Sequence, residues 1–244
     1  MKLSPAERAE IRAAFRQMRP AQKLGYIFSY YKLPIVLALL AVIVIGDFTF
    51  RYITKKEVLV YSAYLNVSVG DDLDAVLGAG FVEHMGVSPK KNEVSVYRDL
   101  YLSQDPSAEN HQFAYASQLK LLAALQTKTL DVVLMNREAY DILSQNGYLY
   151  DIPTILDRSD PLFSLLEPCL TSNTVILEDN SIEYNLNEAD VYEAVTEEAT
   201  NGIDVSSFSV FQDADFSGHV YLGIIGNSPR LPTVFQYIEY LATA

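Results

Sequence analysis

The residues of this chain that could do chemistry are few and scattered. The sharpest grouping is Asp213-Ala-Asp215-Phe-Ser217-Gly218, in which carboxylate, carboxylate and hydroxyl alternate before a glycine. Hard oxygens at alternate positions of a turning chain form the first half of a calcium loop. The twelfth position, which in such loops carries a bidentate glutamate, is Ile224, so a solvated turn between strands is the better reading. Asp71-Asp72-Asp74 and Glu178-Asp179 have the residue types for two-carboxylate cleavage of a glycosidic bond, but acidic residues also gather at helix starts. The three histidines, His84, His111 and His219, lie far apart, and there is no His-Glu-x-x-His helix, Gly-x-Ser-x-Gly elbow or Gly-x-x-x-x-Gly-Lys phosphate loop. Ser217-Gly-His219 is read as a coincidence of spacing. The expectation is a protein without catalysis, resident metal or cofactor, with an extracellular hydrolase as the least supported alternative.

Charge divides the chain. The net charge is +7 through Lys56 and −20 beyond it, where 8 Lys/Arg face 28 Asp/Glu. An acidic domain of this strength argues against nucleic acid as a partner. The single cysteine, Cys169, excludes an intramolecular disulfide and reads as a small buried apolar residue.

Between the two halves lies Leu33-Pro-Ile-Val-Leu-Ala-Leu-Leu-Ala-Val-Ile-Val-Ile-Gly46, 14 residues without a charge. A spanning helix needs roughly 20, and the flanks supply the rest. Tyr30 and Tyr31 precede the run and Phe48, Phe50 and Tyr52 follow it, as aromatic residues mark bilayer interfaces, while Lys32 and Asp47 reach the headgroups. A core helix would show a polar face and a signal peptide would not begin with 32 preceding residues, so an uncleaved anchor over 33–53 is expected. Seven Lys/Arg precede the run and three follow it closely, which places the N-terminus in the cytoplasm and residues 57–244 outside the cell membrane.

Residues 1–32 form the cytoplasmic segment. Ser4-Pro-Ala-Glu7 carries a capping serine, a proline at the first helical position and a glutamate that reaches back, so a helix starts there. Arg8, Arg12, Arg16, Arg19 and Lys23 then share one stripe beside an apolar stripe of Ile11, Phe15 and Met18. That geometry suits the surface of the lipid bilayer, with docking of a partner protein as the alternative.

The exported part reads as an α/β domain. Val58–Leu65, Glu93–Leu102 and Leu130–Met135 read as strands, and Leu73–Met85, a face of Phe113, Ala116, Leu119 and Ala123, and Asn136–Asn146 ending at Gly147 read as helices. The β-α-β-α-β-α order predicts a parallel sheet with right-handed crossovers. Farther on, Asn173–Leu177 reads as a strand, Asn187–Thr200 as a helix ending at Asn201-Gly202, His219–Ile225 as the last strand and Pro232–Leu241 as a closing helix.

The stretch Ser117-Gln-Leu-Lys-Leu-Leu-Ala-Ala-Leu-Gln-Thr-Lys-Thr-Leu-Asp131-Val-Val-Leu-Met-Asn-Arg-Glu-Ala-Tyr140 resembles the helix, hydrophobic-Asp, strand, helix pattern of type II periplasmic, or extracellular, solute-binding proteins. Lys128 and Thr129 stand where that pattern usually has a glycine. The resemblance implies a membrane-anchored relative with a periplasmic-binding-protein-like domain, a reduced second lobe, and a ligand site at the carboxyl ends of the strands. The polar residues there are Asn66 and Ser68, Ser103, Asn136, and Asn227 with Ser228, although asparagine and serine also cap helices and make turns. The implied function is recognition of a small polar or cationic solute, read out by a membrane transporter or envelope complex. Tyr61, Tyr64, Tyr97 and Tyr101 are available to stack on it or, by ordinary strand propensity, to pack in the sheet. The alternative is an envelope scaffold that uses the same fold without a ligand.

Overall fold

In the computed structural model, residues 19, 20, 22, 25, 32–103, 110–178, 194–212, 214 and 216–244 are described. The expected N-terminal cap, the basic stripe apart from Arg19, Asp179, residues 187–193 of the helix expected up to Thr200, and Asp213 and Asp215 of the calcium-like loop fall outside them. The chain divides into two units, residues 1–55 and 56–244.

The first unit contains α1 (Lys32–Thr54). Its charge-free stretch is Leu33–Gly46, about 21 Å at 1.5 Å per residue. Among the described residues no helix is long and apolar enough to cross a membrane. Every described side chain of α1 is exposed, the apolar ones included. The hydroxyls of Thr49 and Thr54 donate to the carbonyls of Ile45 and Phe50 at 2.7 and 2.6 Å, closing polar groups onto the helix itself.

The second unit is built on one six-stranded sheet in the order β2-β1-β3-β6-β5-β4. Its strands are β1 (Glu57–Leu65), β2 (Asn92–Leu100), β3 (Val132–Met135), β4 (Leu170–Glu178), β5 (Val195–Asp204) and β6 (Tyr221–Ile224). β1 pairs in parallel with β2 and with β3, as the β-α-β-α-β reading expects. The other half departs from the expected parallel sheet: β6 runs antiparallel to β3, and β5 and β4 follow antiparallel. The physical cause is the connection. β5 ends at Asp204, which pairs with Tyr221 at the start of β6, so the linking segment returns to the end it left, as antiparallel neighbours require. Of the helix expected over Asn187–Thr200, the described part from Val195 is instead the first half of β5, and no second lobe is present among the described residues.

Helices cover both faces. The first crossover comprises α2 (Asp71–Ala75), a π-helical turn (Val76–Gly80) and α3 (Phe81–His84). The second crossover is α4 (His111–Gln126), and α5 (Arg137–Gln145) follows β3 and ends before Gly147, whose φ of +66° suits glycine. Because the chain steps from β1 to β2 in one direction and from β2 to β3 in the other, right-handed crossovers place these helices on opposite faces. Short helices α6 (Ile152–Ile155), α7 (Pro161–Leu166) and α8 (Ser209–Gln212) and the closing α9 (Leu231–Thr243) join the first face.

Two cores result. On the first face Leu77, Phe81, Phe163, Ile203, Tyr237 and Ile238 pack together, with Phe81 edge-on to Tyr237 at 4.9 Å. On the second, Leu65, Leu121, Leu130, Tyr140 and Leu143 pack beneath α4 and α5. The buried stripe of α4 is Ala114, Ser117, Leu121, Ala124 and Leu125, one step round from the expected face; Phe113 and Leu119 are half exposed. Small residues let this helix approach the sheet, and the Ser117 hydroxyl accepts from the Tyr101 N–H at 3.1 Å. Cys169 is only partly buried, 3.7 Å from the Ser207 hydroxyl.

Candidate functional site

Strand direction decides which of the expected site residues meet. Asn66 and Asn136 follow parallel strands β1 and β3 and lie at the carboxyl end of the sheet. Asn227 and Ser228 follow β6, which runs the other way, and so lie at the opposite end. Ser103 is nearer the first group but lines a separate, more enclosed pocket of about 250 Å³ between α4 and α5, and its hydroxyl donates to Glu138 at 2.9 Å.

At the carboxyl end there is a cleft of about 450 Å³. Its walls include Asn66, Ser68 and Asn136 from the expected set, together with Arg137, Ser217 and His219. It opens where β1 hands the chain to neighbours on both sides, the point at which open α/β sheets bind ligands.

Both asparagines brace this opening. Asn66 has a φ of 56°, a left-handed conformation that asparagine tolerates better than most residues. Its side-chain amide donates to Leu102 O at 2.7 Å and accepts from Leu102 N at 2.8 Å, locking the end of β1 to the end of β2. Asn136 caps α5 by accepting from Ala139 N at 3.0 Å. Neither Ser68 nor Ser217 has a hydrogen-bonding partner for its hydroxyl among the described residues.

Arg137 and His219 of the cleft are each held from behind. Arg137 Nε pairs with Asp141 Oδ1 at 2.9 Å, and its guanidinium lies 5.5 Å from the Tyr140 ring and 5.9 Å from the Tyr221 ring. Partial burial works to lower its pKa, but hydrogen bonds to Tyr221 and Asp141 raise it overall, so the charge is kept. His219 Nδ1 lies 2.7 Å from Asp204 Oδ2. Burial pushes the Asp204 carboxyl up, yet hydrogen bonds from Ser206 and His219 outweigh it and hold the group below its ordinary range. The N-terminal end of α5 adds a favourable dipole for negative charge.

Beneath Arg137 a buried polar network ties α5 to the antiparallel strands. The Tyr140 hydroxyl lies 2.9 Å from Thr171 O and 2.8 Å from Asn201 Oδ1, Asn201 Nδ2 donates to the Ser144 hydroxyl, and that hydroxyl donates to Thr174 O. Gly202 makes room for this ring, since a Cβ there would lie 2.6 Å from Tyr140 Cζ.

At the amino end, Asp131 is fully buried. Its carboxylate accepts from Tyr61 N at 2.8 Å, the Ser228 hydroxyl at 2.6 Å and Arg230 Nε at 2.8 Å. Arg230 also donates to Lys128 O and lies 4.6 Å over the Tyr61 ring. Lys128 holds a φ of 55°, the backbone conformation that a glycine would take without strain, at the place where the solute-binding pattern usually has one. Asn227 Nδ2 donates to Leu125 O, fastening the same end to α4.

Of the other sequence candidates, Asp74 is engaged by both Arg98 nitrogens and by the Tyr64 hydroxyl, so it is a structural tie. Tyr61, Tyr64, Tyr97 and Tyr101 are absent from the described lining of the cleft. Sequence reading missed Arg137, Asp204 and the pairing of His219; a polar residue next to the helix cap at Asn136 was the one available signal for Arg137. Compared with models of protein families, with curated proteins and with solved structures, the chain finds no match.

Proposed function

We propose that the chain is a single-pass membrane protein whose 57–244 domain recognises a small polar solute without chemistry, as a membrane-anchored relative of type II solute-binding proteins. The observation that carries the reading is the cleft at the β1/β3 switch point, where Asn66 and Asn136 fix the backbone and Ser68, Ser217, Arg137 and His219 supply polar groups. The anchor rests on a helix apolar on all sides, since such a surface is stable only when covered by protein or by lipid. Its 14 charge-free residues approach bilayer thickness with the help of Phe48, Phe50 and Tyr52 at the interface. The charge imbalance across it puts the N-terminus in the cytoplasm and the domain outside. Labelling of Cys169 by a membrane-impermeant thiol reagent on intact cells, after partial denaturation of the domain, tests this orientation; labelling only after lysis overturns it.

A thermal-shift screen of the full chain in mild detergent against amino acids, sugars, polyamines and anions tests the binding. A true solute raises the melting temperature in proportion to its excess over Kd. The second reading is a scaffold for an envelope complex. It is favoured by the closure of both asparagine side chains on the domain's own backbone and by the lack of a second lobe among the described residues. A flat screen, together with co-purification of a membrane complex that is lost when residues 57–244 are removed, selects it.

A further inference from the structure

We propose that the switch-point cleft takes a small oxyanion, a carboxylate- or phosphate-bearing solute, with Arg137 and His219 as its recognition residues. This rests on the reading of the cleft as a solute site and names the class of solute. The argument is an inventory of what remains once internal partners are subtracted. Both heteroatoms of the Asn66 amide are consumed by Leu102, and Asn136 Oδ1 is consumed by the α5 cap. Both amide oxygens are therefore engaged, and the described lining has no carboxylate to hold a cation. The guanidinium hydrogens of Arg137 that Asp141 and Tyr221 do not take, Nε2 of His219 and the hydroxyls of Ser68 and Ser217 remain.

The setting strengthens the inference. In a domain carrying 28 acidic residues against 8 Lys/Arg, the described lining of this cleft holds an arginine, a histidine and no carboxylate. Asp141 and Asp204 are outside that lining and hold the far atoms of these two side chains, Nε of Arg137 and Nδ1 of His219. This arrangement orients the groups and leaves their other nitrogens for a ligand. The Tyr140 and Tyr221 rings beneath Arg137 restrict it further, so the guanidinium fork loses less freedom when it takes two oxygens at once. The acidic surface does not draw such a solute in; it makes this cleft the exception on a surface that repels anions.

Isothermal titration of the full chain in mild detergent, at fixed ionic strength, with sodium phosphate, sodium succinate, glucose and putrescine decides the matter. Saturable heat is expected with phosphate or succinate, and which of the two gives it distinguishes the phosphate from the carboxylate source. Arg137→Gln is expected to weaken that binding roughly tenfold or more, as loss of a charge-assisted pair does. His219→Gln, at a side chain 70% exposed and therefore safe for folding, should weaken it too and stands in should the arginine variant fail to fold. Heat from glucose or putrescine alone overturns the anion class while leaving a solute site in place. Anion heat unchanged in both variants puts the anion elsewhere and overturns the inference, and no heat from any titrant removes the solute reading along with it.

Discussion

The two ends of the sheet are built from nearly the same residue types. At the amino end Arg230, Asp131, Ser228 and Tyr61 close on one another around a fully buried carboxylate. At the carboxyl end Arg137, Ser217 and His219 line an open cleft, with Asp141 and Tyr221 behind the arginine, which is half exposed. What separates a fastening from a site is saturation. Asp131 receives three hydrogen bonds and is sealed from solvent, whereas Arg137 is held by Asp141 and Tyr221 and still faces the cleft. The aspartate that carries the resemblance to solute-binding proteins belongs to the fastening, where it ties β1, β3 and the start of α9's approach into one unit.

The contrast can be broken most severely at the closed end. Asp131→Ala leaves Arg230, the Ser228 hydroxyl and the Tyr61 N–H without their acceptor, and a loss of about 3–5 kcal/mol is expected, read from the urea midpoint of unfolding. Gly202→Ala forces a methyl into Tyr140 and should cost about 1–3 kcal/mol; if Tyr140→Ala in the same chain does not relieve the added cost, the clash is not its source. Asn136→Ala removes the cap of α5 and should lower stability by about 1 kcal/mol, while also weakening any ligand bound beside Arg137. Lys128→Gly acts in the opposite direction: it relieves a left-handed backbone and should raise stability by about 0.5–1 kcal/mol, with the carbonyl bond to Arg230 kept.

The smallest effect belongs to Asp204. Its pKa in the fold lies below the ordinary 3.8, so its contribution to stability is fully present above that value and is lost as the pH falls through the lowered one. Asp204→Asn should therefore lose a little stability in the neutral region and show a flatter acid limb, the two proteins converging below about pH 4. An acid limb identical to that of the wild type would show that the Ser206 and His219 hydrogen bonds do not favour the ionised form.

Local patterns foretold the first half of the domain. The alternation of Val58–Leu65, the short apolar β3 and the stop at Gly147 all report nearest-neighbour preferences, and each element formed where the pattern placed it. The direction of β6 was not legible, because pairing direction depends on where a distant connection returns. That one reversal split the expected site, sending Asn227 and Ser228 away from Asn66 and Asn136. The helical face of α4 failed for a related reason. Spacing marked Phe113 and Leu119 as the face, but the approach to the sheet selected Ala114, Ser117 and Ala124, whose small size no periodicity announces.

By itself the sequence determined an apolar segment between a basic and an acidic half, a parallel β-α-β start and the absence of familiar catalytic motifs, because composition and short-range periodicity carry those properties. Only the tertiary structure decided that Asp131 is a buried fastening, that Asn66 and Asn136 are braces, and that Arg137 and His219 share a cleft with hydrogen-bonding capacity to spare. Saturation of a polar group is a property of its distant neighbours, and in this domain those neighbours are brought together by the reversal of a single strand.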